Sequence, residues 1–325
     1  MSNILVTGSE GSLMREVIPK LIDKGHFVVG VDNLFKGTKP SLVKKYSQKD
    51  YVFIQGDLAD PSIADYACGL YPIDSIIQAA ARIYGVGGFH KNAADILGQD
   101  ISVHNSVLEA AKTKNIKHVT YISSSMVYEG FDNLLREDQE LKLPSTDYGL
   151  SKVVGERLSK AYNLQYDIDY TIWRPFNIIT PHESSEKDDI GTSHVFADFI
   201  KHIVTEKRDV IPLIGDGSQI RCFTWIDEVA SVIANFQGDE KTKNEVFNLG
   251  NREPISMKEL ATIIKEEALE IGLIESKELS FNSVMSFKDD VMVRIPDVSK
   301  AEEKLGWKTN ISTRDSVRKC LEKLS

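Results

Sequence analysis

The first half of the chain alternates two hydrophobic periods. Short apolar, β-branched runs recur at residues 4–6, 27–31, 51–54, 75–78, 118–122 and 170–173, and each reads as a buried strand. Between them, apolar residues recur at helical spacing over 14–24, 101–113 and 148–162. Strands and helices alternating in this way form right-handed βαβ units, because parallel neighbours need a crossover. The predicted fold is therefore α/β, a doubly wound parallel sheet with both faces covered. Such a sheet takes its ligands beyond the carboxyl ends of its strands.

After Pro175 the pattern loosens. Residues 181–192 are polar and irregular and predict a loop, and helices are predicted over 195–205 and 256–271. The stretch 224–236 and the strand 246–249 can return to the main sheet, so two domains interleave along the chain. Residues 1–175 with about 224–252 are expected to form the main domain, and about 176–223 with 253–325 a smaller α/β domain for substrate.

Composition narrows the classes. The chain has 325 residues, 42% hydrophobic and 27% charged, as expected of an ordinary globular protein. No apolar stretch approaches the roughly 18 residues of a membrane helix, and no basic leader precedes the first strand. Cys68, Cys222 and Cys320 are odd in number and widely spaced, which points to reduced thiols in the cytoplasm and to no metal site. A net charge of −9 disfavours nucleic acid and anionic membranes as partners. An anionic ligand would have to be held by a few arginines and backbone amides.

The first strand runs into Gly8-Ser9-Glu10-Gly11 and then a helix. Glycines at such a turn let the backbone approach a pyrophosphate and aim the amides of the helix N-terminus at it. A plain strand-to-helix turn would carry the same glycines, so the motif alone decides nothing. The second strand adds Asp32-Asn33, where a carboxylate accepts hydrogen bonds from an adenosine ribose and repels a 2′-phosphate. The third strand ends in Gly56-Asp57-Leu58, placed for an adenine edge. Together they predict a Rossmann-type domain that prefers NAD to NADP. Where the fingerprint has a third glycine, this chain has Met14. That glycine serves helix-to-strand packing, and a flexible methionine is accommodated by a small shift.

Tyr148 and Lys152 stand four apart on a predicted helix, so phenol and ammonium share a face. A nearby cation favours tyrosinate and suits the phenol to general-base work. The hydroxyl cluster Ser123-Ser124-Ser125 follows the strand 118–122, at the edge where the cofactor is expected. A serine-rich turn is the bland alternative.

T-G-x-x-G, D-N-L, G-D-L, A-A-A, S-S-S-x-V-Y and Y-x-x-x-K occur in the order and spacing of extended short-chain dehydrogenases/reductases. More narrowly, nearly the whole chain resembles the nucleotide-sugar epimerase/dehydratase family. The resemblance implies that Ala80 and Ala81 join Gly8, Gly11, Asp32, Asn33, Asp57 and Leu58 in holding NAD. Tyr148 would be the base, Lys152 would lower its pKa and hold the nicotinamide ribose, and Ser124 would bind the reacting hydroxyl, with Ser125 in support. Arg174-Pro175-Phe176-Asn177 resembles a motif whose Asn contacts a substrate diphosphate, and Arg221 and Arg294 match phosphate-binding arginines. The run 80–89, with Gly87 and Gly88, resembles the sugar loop of GDP-sugar enzymes. Ser193-His194-Val195 resembles the segment that carries a catalytic His in GDP-fucose synthases, although His194 could equally cap a helix. In relatives, helices matching 101–113 and 148–162 pair as a four-helix bundle, which implies a homodimer.

Departures choose among the chemistries. The 4,6-dehydratases carry an Asp-Glu pair where this chain has Ser125-Met126, and a Cys used for inversion at C3 or C5 is also absent there. The expected reaction is C4 epimerisation of a nucleotide-diphosphate sugar through a transient 4-keto intermediate. Inversion at C3/C5, net 4-dehydrogenation or reduction, and a non-catalytic NAD-binding protein are the alternatives.

Overall fold

The apolar runs fold as successive βαβ units. The computed structural model describes residues 1–36, 39–132, 134–185, 191–285, 287 and 291–324. Its first half comprises β1 (Asn3–Thr7), α1 (Met14–Asp23), β2 (Phe27–Asp32), β3 (Tyr51–Gln55), α2 (Pro61–Leu70) and β4 (Ser75–Gln78). Then come α3 (Val86–Lys91), α4 (Ala93–Thr113), β5 (His118–Ile122), β6 (Leu134–Leu135), α5 (Asp147–Tyr166) and β7 (Asp169–Pro175). The second half begins with β8 (Ile178–Ile179), α6 (Val195–Ile200), β9 (Val210–Ile214), β10 (Ile220–Cys222), β11 (Thr224–Trp225), α7 (Ile226–Asn235) and β12 (Glu245–Leu249). It ends with β13 (Pro254–Ser256), α8 (Met257–Glu270), β14 (Ser280–Met285), β15 (Val293–Pro296), α9 (Ser299–Leu305) and α10 (Thr313–Leu324).

Seven strands form one parallel sheet in the order β3-β2-β1-β4-β5-β7-β12. All six strands expected in the first half are present, and the strand expected at 246–249 pairs with β7 in the register Val246↔Ile172. The strand order reverses between β1 and β4, and a crevice opens there at the carboxyl ends. The two ends are tied together: the Thr7 hydroxyl donates to the Gln78 side chain and accepts from the amides of Ala79 and Ala80 at 3.0 and 3.1 Å.

The sheet is buried on both faces, so β1 reads as a continuous apolar run. Ile4 and Val6 pack with α1 and α7 around Val17, Ile18, Leu21, Val229 and Ile233. Leu5 faces the opposite side, with Val29, Ala64, Val103 and Val107. A separate cluster, including Phe199, Leu260, Ile264, Val317 and Leu321, joins α6, α8 and α10. The stretch from 224 gives β11, which pairs with β8 outside the main sheet, and then α7, which covers α1.

Helix bounds depart from the pattern in places. α4 begins at Ala93 rather than 101, and its first turns are drawn in by burial of Ile96 and Asp100. The helix expected over 195–205 is α6 followed by a π-helical turn, Lys201–Thr205. Of the loop expected at 181–192, residues 186–190 lie outside the described residues. α2 had a start signal that periodicity passed over: the Asp60 carboxylate caps the Ser62 amide at 2.9 Å, with Pro61 next in line. Among the described residues no helix is long and apolar enough to cross a membrane.

Candidate active site

A cleft of about 1220 Å³ opens over the switch point. It exceeds the roughly 300–1,000 Å³ of a pocket for one small ligand, and so has room for two side by side. The glycine turn forms one end. Gly8 has φ +63°, and a Cβ there would stand 2.9 Å from the Ala80 backbone. A side chain would therefore both strain the turn and close it against Ala79–Ala80. The Gly11 amide donates to Gly8 O at 2.9 Å as the chain turns into α1. Met14 is 1% exposed and packs into the core with Val17, Ile18 and Leu21. Its bulk goes into the helix–sheet contact at the edge of the cleft.

Asp32, at the end of β2, accepts the amides of Glu10 (3.0 Å) and Leu34 (2.7 Å). Asp57, at the end of β3, accepts from Asn33 Nδ2 (3.2 Å), Gln99 Nε2 (2.9 Å) and its own loop at Ala59 N (2.9 Å). Leu58, Ala80 and Ala81 line the same wall. Open glycine backbone at a helix N-terminus, followed by strand-end carboxylates, fits a dinucleotide's pyrophosphate and ribose.

The middle of the cleft holds the hydroxyls and the Tyr–Lys pair. Thr146 caps α5 by accepting the Gly149 amide at 3.1 Å, while its own amide and hydroxyl donate to Glu129. Tyr148 thus falls in the first turn and Lys152 one turn on, both buried. Lys152 Nζ lies 5.4 Å from the centre of the Tyr148 ring, whose other neighbour is Phe89, stacked at 4.6 Å. Ser124 lies near enough to the Tyr148 phenol to pull it down, and its Oγ accepts the Met126 amide at 3.2 Å. Lys152 is 3.8 Å from Asp100 Oδ2, and Asp100 also accepts Arg82 N (2.8 Å) and Ser151 Oγ (3.2 Å).

Burial pushes the Tyr148 phenol up and Asp100 adds to the rise, against opposing pulls from Ser124 and Arg294. This is the reverse of the expected lowering by Lys152, because the same burial that seats the pair also brings the Asp100 charge beside it. Burial lowers Lys152, against the pull of Asp100, and raises Asp100, against the pull of Lys152.

The far end of the cleft is cationic. β10 and β15 pair in parallel with Arg221 opposite Arg294, which places two buried arginines on neighbouring strands at the cleft wall. Asn177 lines the cleft beside them and donates to Cys222 O at 3.2 Å. Arg174, from the same motif as Asn177, is structural: it forks onto Glu156 at 2.8 and 2.7 Å and reaches the Tyr128 hydroxyl at 2.6 Å. Ser123 donates to that Glu156 at 2.7 Å and so braces β5 against α5, and all three serines line the cleft.

His194 sits exposed to the cleft with Nδ1 2.8 Å from both Glu183 oxygens. The enclosing cleft walls would lower the half-exposed His194, but the Glu183 charge outweighs them and the imidazole is raised; in return, Glu183 is held down to about 2. Gly87 and Gly88 do not line the cleft. They lie in α3, not in a loop, and their amides point to Gly191 O at 2.9 and 3.3 Å, while Gly85, Val86 and Phe89 face the cavity. Asp100, Glu129 and Glu183 went unnoticed in the sequence, where no spacing distinguishes them.

The family model described as the NAD dependent epimerase/dehydratase family matches residues 4–250. The UDP-glucuronate 4-epimerase of Thermodesulfobacterium geofontis is 30% identical, over 98% of this chain and 95% of its own length. The GDP-mannose 3,5-epimerase of Arabidopsis thaliana is 27% identical, over 97% and 80%. Among solved structures, the UDP-glucose 4-epimerase of Thermotoga maritima with UDP-glucose superposes with a TM-score of 0.81 at 25% identity, covering 99% of this chain and 98% of that one. With its glycine turn, strand-end carboxylates and Ser–Tyr–Lys set in one cleft, the chain belongs to the NAD-dependent epimerase/dehydratase family.

Proposed function

We propose that the protein is an NAD-dependent nucleotide-sugar 4-epimerase. The observation that carries this reading is the meeting of Ser124, Tyr148 and Lys152 in a cleft where the adjoining Ser125 and Met126 offer no acid or base. Held by Gly8, Gly11, Asp32 and Asp57, NAD would supply the hydride acceptor and donor for C4. Tyr148 takes the C4 hydroxyl proton, Ser124 orients that hydroxyl, and the Lys152 ammonium stabilises the tyrosinate. Burial and Asp100 oppose the charged phenol, and a cation bound beside Tyr148 would favour tyrosinate as Lys152 does. Arg221, Arg294 and Asn177 hold the diphosphate while the keto sugar turns over and presents its other face.

The division of labour we propose gives the cofactor to residues 1–175 with about 224–252, and the nucleotide sugar to about 176–223 with 253–325. We further propose a cytoplasmic homodimer paired through α4 and α5 and serving carbohydrate biosynthesis; light scattering at micromolar concentration should give twice 36.4 kDa. Incubation with UDP-, GDP-, CDP- and dTDP-sugars, read by NMR, tests the activity. A 4-epimer with no net NADH absorbance supports it, and a 4-keto-6-deoxy product overturns it.

One observation favours a second reading. The Glu183–His194 pair presents an oriented imidazole to the cleft, as acid–base inversion at C3 or C5 would require. Solvent deuterium at C3 or C5 of the product would select it.

A further inference from the structure

The glycine turn contains a residue that neither the reaction nor the packing explains. Glu10, between Gly8 and Gly11, has a fully buried side chain and lines the cofactor end of the cleft. Its Oε2 accepts both the amide and the hydroxyl of Ser41 at 3.1 Å. The same oxygen lies 3.4 Å from Nε of Arg15, which stands at the start of α1 on the cleft wall. Glu10 Oε1 has no hydrogen-bond partner. Through its amide Glu10 also holds Asp32, at 3.0 Å.

A strand-end carboxylate takes the adenosine ribose hydroxyls of NAD, whereas a nearby arginine takes the 2′-phosphate of NADP. This chain has both, in Asp32 and Arg15. An arginine keeps its charge at any working pH, so only a counter-charge can silence it. We infer that Glu10 is the specificity-determining residue that neutralises Arg15 and so keeps the site for NAD. A 2′-phosphate arriving beside Asp32 would meet a second carboxylate and an arginine whose charge is already matched. The two hydrogen bonds from Ser41 hold the Glu10 carboxylate in that arrangement.

The inference rests on the NAD reading of the cleft, and binding measurements test it apart from turnover. Glu10→Gln keeps the shape and removes the charge. Calorimetry with NAD and NADP on the cofactor-stripped full chain should show the NADP-to-NAD ratio of dissociation constants falling by about tenfold or more, the size of one charge-assisted hydrogen bond to phosphate. Arg15→Gln on top of Glu10→Gln should restore the wild-type ratio. Arg15→Gln alone should change that ratio by less than about twofold, because coupled residues are not additive. An unchanged ratio in Glu10→Gln overturns the inference. So does a loss of NADP affinity in Arg15→Gln alone, which remains measurable if Glu10→Gln does not fold. Wild-type protein that binds neither dinucleotide would sink the NAD reading itself, a result distinct from NAD binding with unaltered selectivity.

Discussion

Lys152→Ala would leave Asp100 stranded. Both side chains are 4% exposed and their charged atoms are 3.8 Å apart. At that distance two unit charges attract by about 4 kcal/mol for an effective dielectric near 20. Deleting one partner of a buried pair costs about 3–5 kcal/mol. Asp100 keeps its hydrogen bonds from Arg82 N and Ser151 Oγ, and can shed its charge by taking a proton. Burial already raises Asp100 and Lys152 restrains that rise, so in the variant the folded-state value climbs further. A folded value above the unfolded one means tighter proton binding in the folded state; that stability is present at low pH and is lost as pH rises through the folded value. The deficit against wild type should therefore be small near the ordinary carboxylate value of about 4 and grow to about 3–5 kcal/mol above neutrality. Urea unfolding at a series of pH values, without added cofactor, reads this. Adding Asp100→Asn should remove most of the deficit at neutral pH and leave turnover abolished. A deficit that does not vary with pH, or that Asp100→Asn fails to relieve, would refute the buried charge pair.

Tyr148→Phe should slow turnover by about 10²–10⁴-fold, the usual weight of a general base, with NAD affinity by calorimetry unchanged. The variant ring keeps its stack on Phe89, so lost turnover would not report lost structure. Arg221→Ala and Arg294→Ala should each weaken nucleotide-sugar binding by about 10–150-fold, for the loss of a charged hydrogen bond, and leave NAD binding alone. Met14→Ala should cost about 2–5 kcal/mol in urea unfolding, since the side chain is 1% exposed, while NAD affinity stays within about threefold. A large loss of NAD affinity there would mean that Met14 shapes the turn after all.

Legibility in the sequence followed the range of the interactions. The sheet was readable because β-branched runs such as 27–31 and 75–78 are buried on both faces and carry their own pattern. Tyr148 and Lys152 were readable because four residues on one helix fix their neighbourhood. Asp100 was not, since its partners Arg82, Ser151 and Lys152 come together only when α4 packs on α5. Glu183 likewise meets His194, eleven positions further along the chain. The R-x-F-N resemblance gave the diphosphate to Asn177, and nothing in that motif showed that Arg174 spends its guanidinium on Glu156 of α5 and on Tyr128. The glycines at 85–88 suggested a sugar loop, but a Cβ at Gly85 would lie 2.0 Å from Ser193 O, so glycine there serves a close approach of two backbones.

In the proposed 4-epimerisation one hydrogen leaves C4 and returns to the other face of the same carbon. The most direct measurement uses the nucleotide sugar that turns over, deuterated at C4, incubated with the enzyme in ordinary water and read by NMR. The expected product is the 4-epimer with deuterium still at C4 and with C3 and C5 unexchanged. Loss of the C4 label to solvent, or solvent hydrogen entering C3 or C5 in a companion run in deuterium oxide, would contradict it.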